Sequence, residues 1–219
     1  MSKNIVILCD GEFPRLPYPR LLLKNADFII CCDGAMRNFT RHSRRIFGEE
    51  KLPDVIIGDL DSLTKAWQKK YADRIVSDSD QETNDMTKAF NYAIEHFDDI
   101  VSITFLGATG KREDHTIGNM SLLMEYAGNP KASGIDLRMV SDYSTIFPIT
   151  DSFDFSCGTG RRISILTPDN SLQICSTGLK YKTDNVIFDN WWKATLNESC
   201  DDEVKLKFSH PSRAIIVID

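Results

Sequence analysis

Several things are missing from this 219-residue sequence, and each absence closes off a class of function. No apolar run is long enough to cross a membrane. The opening Met1-Ser2-Lys3-Asn4 leads at once into Ile5-Val6-Ile7-Leu8-Cys9, too short a stretch for a signal-peptide core. Basic runs are nearly absent: Arg41-His42-Ser43-Arg44-Arg45 is short, and the formal charge is −6, which disfavours nucleic acid as the main partner. The six cysteines, at 9, 31, 32, 157, 175 and 200, form no C-x-x-C pair, so a zinc ribbon or thioredoxin-type site is not expected. Reduced thiols in a cytoplasmic protein are the expectation. Neither G-x-x-x-x-G-K-[ST] nor G-x-G-x-x-G occurs, so a nucleotide site, if present, is built without either loop. Internal repeats and low-complexity tracts are also lacking.

What is present is ordinary globular material, 42% hydrophobic and 26% charged. Up to about residue 142 the chain alternates strand-like and helix-like stretches. Ile5–Cys9, Ala26–Cys32, Leu52–Ile57, Arg74–Val76, Ile100–Leu106 and Ile135–Val140 read as strands. Phe13–Pro19 holds three prolines and reads as irregular, with a helical turn over Arg20–Lys24. The clearest helix runs from about Thr83 to Phe97, with Met86, Ala89, Phe90, Ala93, Ile94 and Phe97 on one stripe. A second, from about Asp114 to Tyr126, places Ile117, Met120, Met124 and Ala127 on its expected buried face, and His115 and Asn119 together on another. This alternation predicts a mainly parallel α/β domain over 1–142. From 143 to 219 the helices stop. Short β-rich runs follow at 144–149, 162–166, 172–175, 185–188, 203–208 and 214–218, which predicts a small antiparallel sandwich or barrel.

The candidate chemistry gathers at strand ends. Gly58-Asp59-Leu60-Asp61-Ser62 follows a β-branched run. In extended chain, residues two apart point the same way. Asp59 and Asp61 would then face one site, with Leu60 turned to the core. Paired carboxylates call for a cation or a proton, and Mg²⁺ shared with phosphate is the natural cation. Asp33-Gly34 ends another strand where backbone can approach a ligand. Gln81 and Asp85 sit in and after an acidic loop, and Lys88 lies one helical turn on from Asp85. Gly107-Ala108-Thr109-Gly110-Lys111-Arg112 suits a phosphate, and Asp114 follows it. The bland alternatives are an N-cap role for Asp114, a helix-terminus role for Asp85, a solvated Asp85–Lys88 pair and a structural His115. Together the acids, Lys88 and Arg112 suit Mg²⁺-nucleotide chemistry.

Three co-linear blocks carry a family resemblance: Pro53 to Ser62, Asp80 to Ala89, and Gly107 to His115 continuing to Asn119. In these the sequence resembles the thiamine pyrophosphokinase (thiamine diphosphokinase) family, strongly over 1–142 and more loosely beyond. The resemblance implies an ATP-binding catalytic domain at 1–142 and a thiamine-binding β-sandwich at 143–219, assembled as a homodimer with sites at the interface. It implies transfer of a diphosphate from ATP to thiamine, with AMP leaving. Asp59, Asp61 and Asp85 correspond to Mg²⁺ ligands, and Gln81 to a thiamine contact. Lys88, Arg112, Asp114, His115 and Asn119 fall on the ATP side, with Asp33, Gly34, Gly107 and Thr109 lining it. In the C-terminal part Thr195 and Asn197 correspond to thiamine contacts, whereas Leu196 stands where the family tends to carry a hydroxyl. Trp191 and Trp192 precede them, one expected in the core and one available to stack on thiamine. The competing readings are a nucleotide or thiamine sensor without turnover, and a Mg²⁺/Mn²⁺ nucleotide-sugar transferase.

Overall fold

The structure is a computed structural model and describes residues 2–219. By internal contacts it divides into two units, residues 1–119 with 134–142, and residues 120–133 with 143–219.

The first unit is built on parallel strands β1 (Lys3–Leu8), β2 (Phe28–Cys32), β3 (Val55–Gly58), β4 (Ile75–Ser77), β5 (Ile100–Leu106) and β6 (Asp136–Val140). Helices α1 (Pro17–Lys24), α2 (Met36–Phe47), α3 (Lys65–Lys70), α4 (Asp85–His96) and α5 (Glu113–Ala127) alternate with them. Residue 119 of α5 is the last that groups with this unit. Ile5, Ile7, Leu8, Ile29, Ile30, Ile56 and Phe105 are fully buried. Strands covered on both faces can be apolar at every position, which is why these segments read as unbroken hydrophobic runs. The strand order is β6-β5-β1-β2-β3-β4. The chain moves outward from β1 to β4, then returns across the sheet to place β5 on the other side of β1. That reversal between β1 and β5 opens a crevice at the strands' C-terminal ends, where open α/β sheets bind ligands.

The second unit contains β7 (Thr145–Ile149), β8 (Phe153–Ser156), β9 (Arg162–Leu166), β10 (Ile174–Thr177), β11 (Ala194–Glu198), β12 (Glu203–Phe208) and β13 (Ala214–Ile218). They pair antiparallel in the orders β11-β9-β13-β7 and β10-β12-β8. In β12, Val204, Leu206 and Phe208 are buried while Glu203, Lys205 and Lys207 are exposed. The buried set packs with Ile163, Ile165, Ile174, Ala214 and Ile216 in one core.

The fold class is as expected, and several details differ. Helix α1 begins at Pro17, because a proline in the first turn needs no N–H and is preset for helical φ. Ile117 is 53% exposed, and the buried positions of α5 are Asn119, Leu123, Met124 and Tyr126. The segment 185–188 forms no strand. Phe188 buries itself in the core while Ile187 is exposed, so that alternation belongs to a loop. Strands β8 and β11 were not foreseen. Neither Trp191 nor Trp192 is a core residue: they are 39% and 64% exposed.

Candidate active site

At the C-terminal ends of β1, β2, β3 and β5 lies a cleft of about 450 Å³. Of the residues singled out from sequence, Asp33, Gly34, Asp59, Gln81, Asp85, Lys88, Gly107, Thr109, Arg112, His115 and Asn119 all line it.

The acids come from three elements. Asp33, 2% exposed, opens a short 3-10 turn directly after β2. Asp59 follows β3, and Asp85 is the first residue of α4. Gly58 makes their convergence possible. Its φ is +154°, and a Cβ there would lie 3.0 Å from the Asp33 carboxyl carbon and 3.1 Å from Asp85 Oδ1. The Asp85 and Asp33 carboxyls stand within hydrogen-bonding reach of each other, so each influences the other's ionisation. Burial, with the neighbouring Asp33 and Asp59 charges adding to it, pushes the Asp85 carboxyl up to about 6 despite Lys88. Burial raises Asp33 as well. Such a cluster disfavours its own ionisation and is stabilised by added positive charge.

Lys88 supplies one such charge. It is 4% exposed, donates to the Asp78 carbonyl at 2.9 Å and stands 3.9 Å from Asp85 Oδ1. The pair is therefore no solvated surface contact. The cap of α4 is Asn84, whose side chain accepts from Thr87 N at 2.9 Å. Asp85 occupies the following position, where the helix dipole favours a carboxylate.

Asp61 lies elsewhere. The Asp59–Ser62 stretch is a turn, not extended chain. Leu60 has φ +70°, Asp61 N donates to Asp59 Oδ1 at 3.1 Å, and Leu63 N donates to Leu60 O at 3.1 Å. Gln68 of α3 secures the turn by donating to the Leu60 and Leu63 carbonyls, each at 3.0 Å. Two-residue alternation is lost, so Asp61 is exposed and outside the cleft lining, and Leu60 is half-buried.

The loop after β5 forms the opposite wall. Gly107 has φ +64°, and a Cβ there would come within 2.5 Å of the Cys9 carbonyl. Gly11 N donates to Gly107 O at 2.6 Å, tying this loop to the one after β1. Arg112 is held by Asp114, with Nη2–Oδ2 2.5 Å and Nε–Oδ1 3.1 Å. Asp114 itself is outside the lining and sits in the first turn of α5, not at its cap. Asn119, buried, donates to the Ala108 carbonyl at 2.7 Å and accepts from Asn84 Nδ2 at 3.1 Å.

Lys111, part of the stretch expected to suit a phosphate, also lines the cleft, and so does Asp10, which the sequence reading passed over. They form an ion pair at 2.9 Å. The signal was available: Asp10-Gly11 after β1 repeats the acid–glycine pattern of Asp33-Gly34.

The remaining predicted contacts belong to the second unit. Asn197 is buried, accepts from Tyr181 N at 3.1 Å and donates to Tyr181 O at 2.6 Å. Thr195 Oγ1 donates to the Trp192 carbonyl at 2.7 Å. Both polar groups are engaged within the fold. Leu196 between them has φ +58° and is 80% exposed.

Comparisons with known proteins agree with one another. The family model described as "Thiamin pyrophosphokinase, catalytic domain" matches residues 19–135, and "Thiamin pyrophosphokinase, substrate-binding domain" matches 145–212. Thiamine pyrophosphokinase 1 of rice (Oryza sativa subsp. japonica) is 28% identical over 202 residues, covering 82% of this chain and 74% of its own. The Bacillus subtilis enzyme is 28% identical over 142 residues, covering 61% of this chain and 63% of its own. Among solved structures, thiamine pyrophosphokinase from Bacillus subtilis aligns with a TM-score of 0.76 at 20% identity, over 99% of both chains. Yeast thiamin pyrophosphokinase aligns at 0.78 and 19% identity, over 99% of this chain and 86% of its own. At those identities the structural likeness speaks to the fold, and the family models carry the assignment. The chain therefore belongs to the thiamine pyrophosphokinase family, ATP-dependent enzymes that make thiamine diphosphate.

Proposed function

We propose that the chain works as a cytoplasmic homodimer. ATP is bound in the cleft of residues 1–142, and thiamine is bound with the help of residues 143–219. The observation that carries the reading is the convergence of Asp33, Asp59 and Asp85 on one cleft with the buried Lys88.

The donor set fits Mg²⁺. Among the described residues no group of three or more His, Cys, Asp or Glu could hold a metal ion alone. Mg²⁺ does not require such a cage, since it takes one or two carboxylates and completes its shell with phosphate oxygens and water. Asp59 and Asp85 would hold it, whereas Asp61, exposed and outside the cleft lining, would take no part. Bound there, Mg²⁺ would neutralise charge on the phosphate oxygens.

The protein's own groups do the rest. Lys88 and Arg112 place positive charge beside the transferred group, and the loop from 107 to 109 lines the phosphate path. The thiamine hydroxyl oxygen bonds to the β-phosphorus of ATP while the bond to the AMP oxygen breaks. The hydroxyl proton passes to Asp33, whose burial raises its affinity for protons and which is not among the groups that would hold the metal. Gly34, Thr109, Asp114, His115 and Asn119 shape the nucleotide side. Gln81 contacts thiamine, and the exposed Trp191 and Trp192 rings offer faces for the cationic thiazolium, with Thr195 and Asn197 fixing the irregular stretch of β11 that bears Leu196.

The test is AMP and thiamine diphosphate formation from ATP, Mg²⁺ and thiamine, read by product mass. Thiamine-dependent AMP release is expected. ATP binding without it would make the protein a sensor and refute the proposal.

A further inference from the structure

A second cavity of about 520 Å³ lies beside the catalytic cleft, bounded by the loop after β1, by α1 and α2, and by the Gly110–Lys111 turn. Gly11 and Lys111 line both cavities, so the two share a wall. The second cavity has the opposite charge to the molecule. Arg15, Arg20, Arg45 and Lys111 face one acid, Glu12, in a protein of net charge −6.

Not all of this charge is compensated. Arg15 pairs with Glu12 at 2.6 Å, and Lys111 with Asp10 at 2.9 Å. Arg20 donates through Nε to the Pro14 carbonyl at 3.0 Å, which fixes the guanidinium without neutralising it. Arg45, in the last turn of α2, has no acidic partner among the described residues. His42 completes the wall, stacked on Phe13 with ring centroids 4.7 Å apart. Burial, then the charges of Arg20, Arg41 and Arg45, hold its imidazole below the ordinary value. A guanidinium fixed at Arg20, with a second at Arg45 on the same concave wall and no carboxylate on either, is matched to phosphate, which brings up to two charges and several acceptor oxygens in bidentate geometry.

We infer that this second cavity is a phosphate-binding site, taking a phosphate or diphosphate group on Arg20 and Arg45, with Lys111 on the ridge shared with the catalytic cleft. The group can belong to a nucleotide in that cleft whose phosphates cross the ridge, or to a separate phosphate-bearing molecule. Only the first source rests on the function proposed above, and the site stands whether or not thiamine is the acceptor.

The test follows the histidine ring signals of the whole protein by NMR during a titration with diphosphate. His42 reports this cavity and His115 the catalytic cleft. Saturable movement of His42 is expected, with its protonation midpoint moving upward. Binding at His42 should weaken about ten-fold or more in Arg45→Gln and recover in part in Arg45→Lys. A non-hydrolysable ATP analogue then separates the sources. If it moves His42 and His115 together and blocks diphosphate, the nucleotide supplies the phosphate. If it moves His115 alone while diphosphate still moves His42, a second molecule does. A His42 signal unmoved by diphosphate, or one moving equally in Arg45→Gln, would overturn the inference, whatever the activity assay shows.

Discussion

Asp85 sits where its charge opposes folding, so neutralising it should stabilise the metal-free protein while removing activity. In the fold its carboxyl is raised from 3.8 to about 6, which corresponds to roughly 3 kcal/mol of native-state penalty for the charged form. The side chain is 33% exposed, and solvent screening cuts this roughly in half, to about 1–2 kcal/mol. Lys88 works the other way at 3.9 Å but keeps its bond to the Asp78 carbonyl when Asp85 becomes neutral. Because the folded value lies above the unfolded one, the native state holds the extra proton between pH 3.8 and about 6. The parent's stability should fall as pH rises through that window, and the Asp85→Asn variant should lack this contribution. Thermal unfolding in chelator, followed by circular dichroism, should show the variant melting about 2–8 °C higher at pH 8 and the gap closing at pH 3.5. A variant less stable than the parent at pH 8, or a gap of equal size at both pH values, would refute the placement of Asp85 in a repelling acid cluster.

Asp59→Asn should lower kcat by about 10²-fold or more, while Asp61→Asn, at an exposed position outside the cleft lining, should cost less; steady-state rates decide, and equal losses would show that Asp61 reaches the phosphates when ligands bind. Leu196→Gly should raise the melting temperature modestly, by relieving a left-handed conformation at φ +58° that costs a leucine about 1–2 kcal/mol. Gly178→Ala should destabilise by several kcal/mol on the order of a severe core clash, since φ is +83° and the new Cβ would stand 2.2 Å from the Glu203 carbonyl oxygen; denaturant melts measure it. Asp169 is held below its usual value first by Ser171, then by Ser212 and His210, so its contribution is present above pH 3.8 and lost on acidification; Asp169→Asn should flatten the acid limb of the unfolding curve.

The residues that sequence reading located were those whose position follows from strand ends. Asp33, Asp59 and Asp85 each end a strand or open a helix, so they reach the cleft whatever the detailed loop path. Asp61 shows the limit of that logic. Its direction depended on an extended backbone, and a leucine with φ +70°, clamped by Gln68 five residues beyond Leu63, turns it outward. Lys88 was found by its spacing from Asp85, but its burial was not, because the stripe rule assigns a lysine to solvent. Ile117 failed for the converse reason: helical periodicity tells which residues share a face, not which face is covered. In the second unit, the run 185–188 has strand composition without a partner strand, and pairing is decided by distant chain. Asp10 was the avoidable omission, since its signature had already been recognised at Asp33.

Asn119 has a mechanical consequence. One amide group grips the Ala108 carbonyl on one side and the Asn84 side chain on the other. Ala108 belongs to the loop after β5, and Asn84 caps the helix whose first residue is Asp85. The two walls of the cleft are thus yoked through a single planar side chain. The route from that loop to the acid cluster is therefore two hydrogen bonds long. Shortening that crossbar would uncouple the loop after β5 from the helix that bears Asp85.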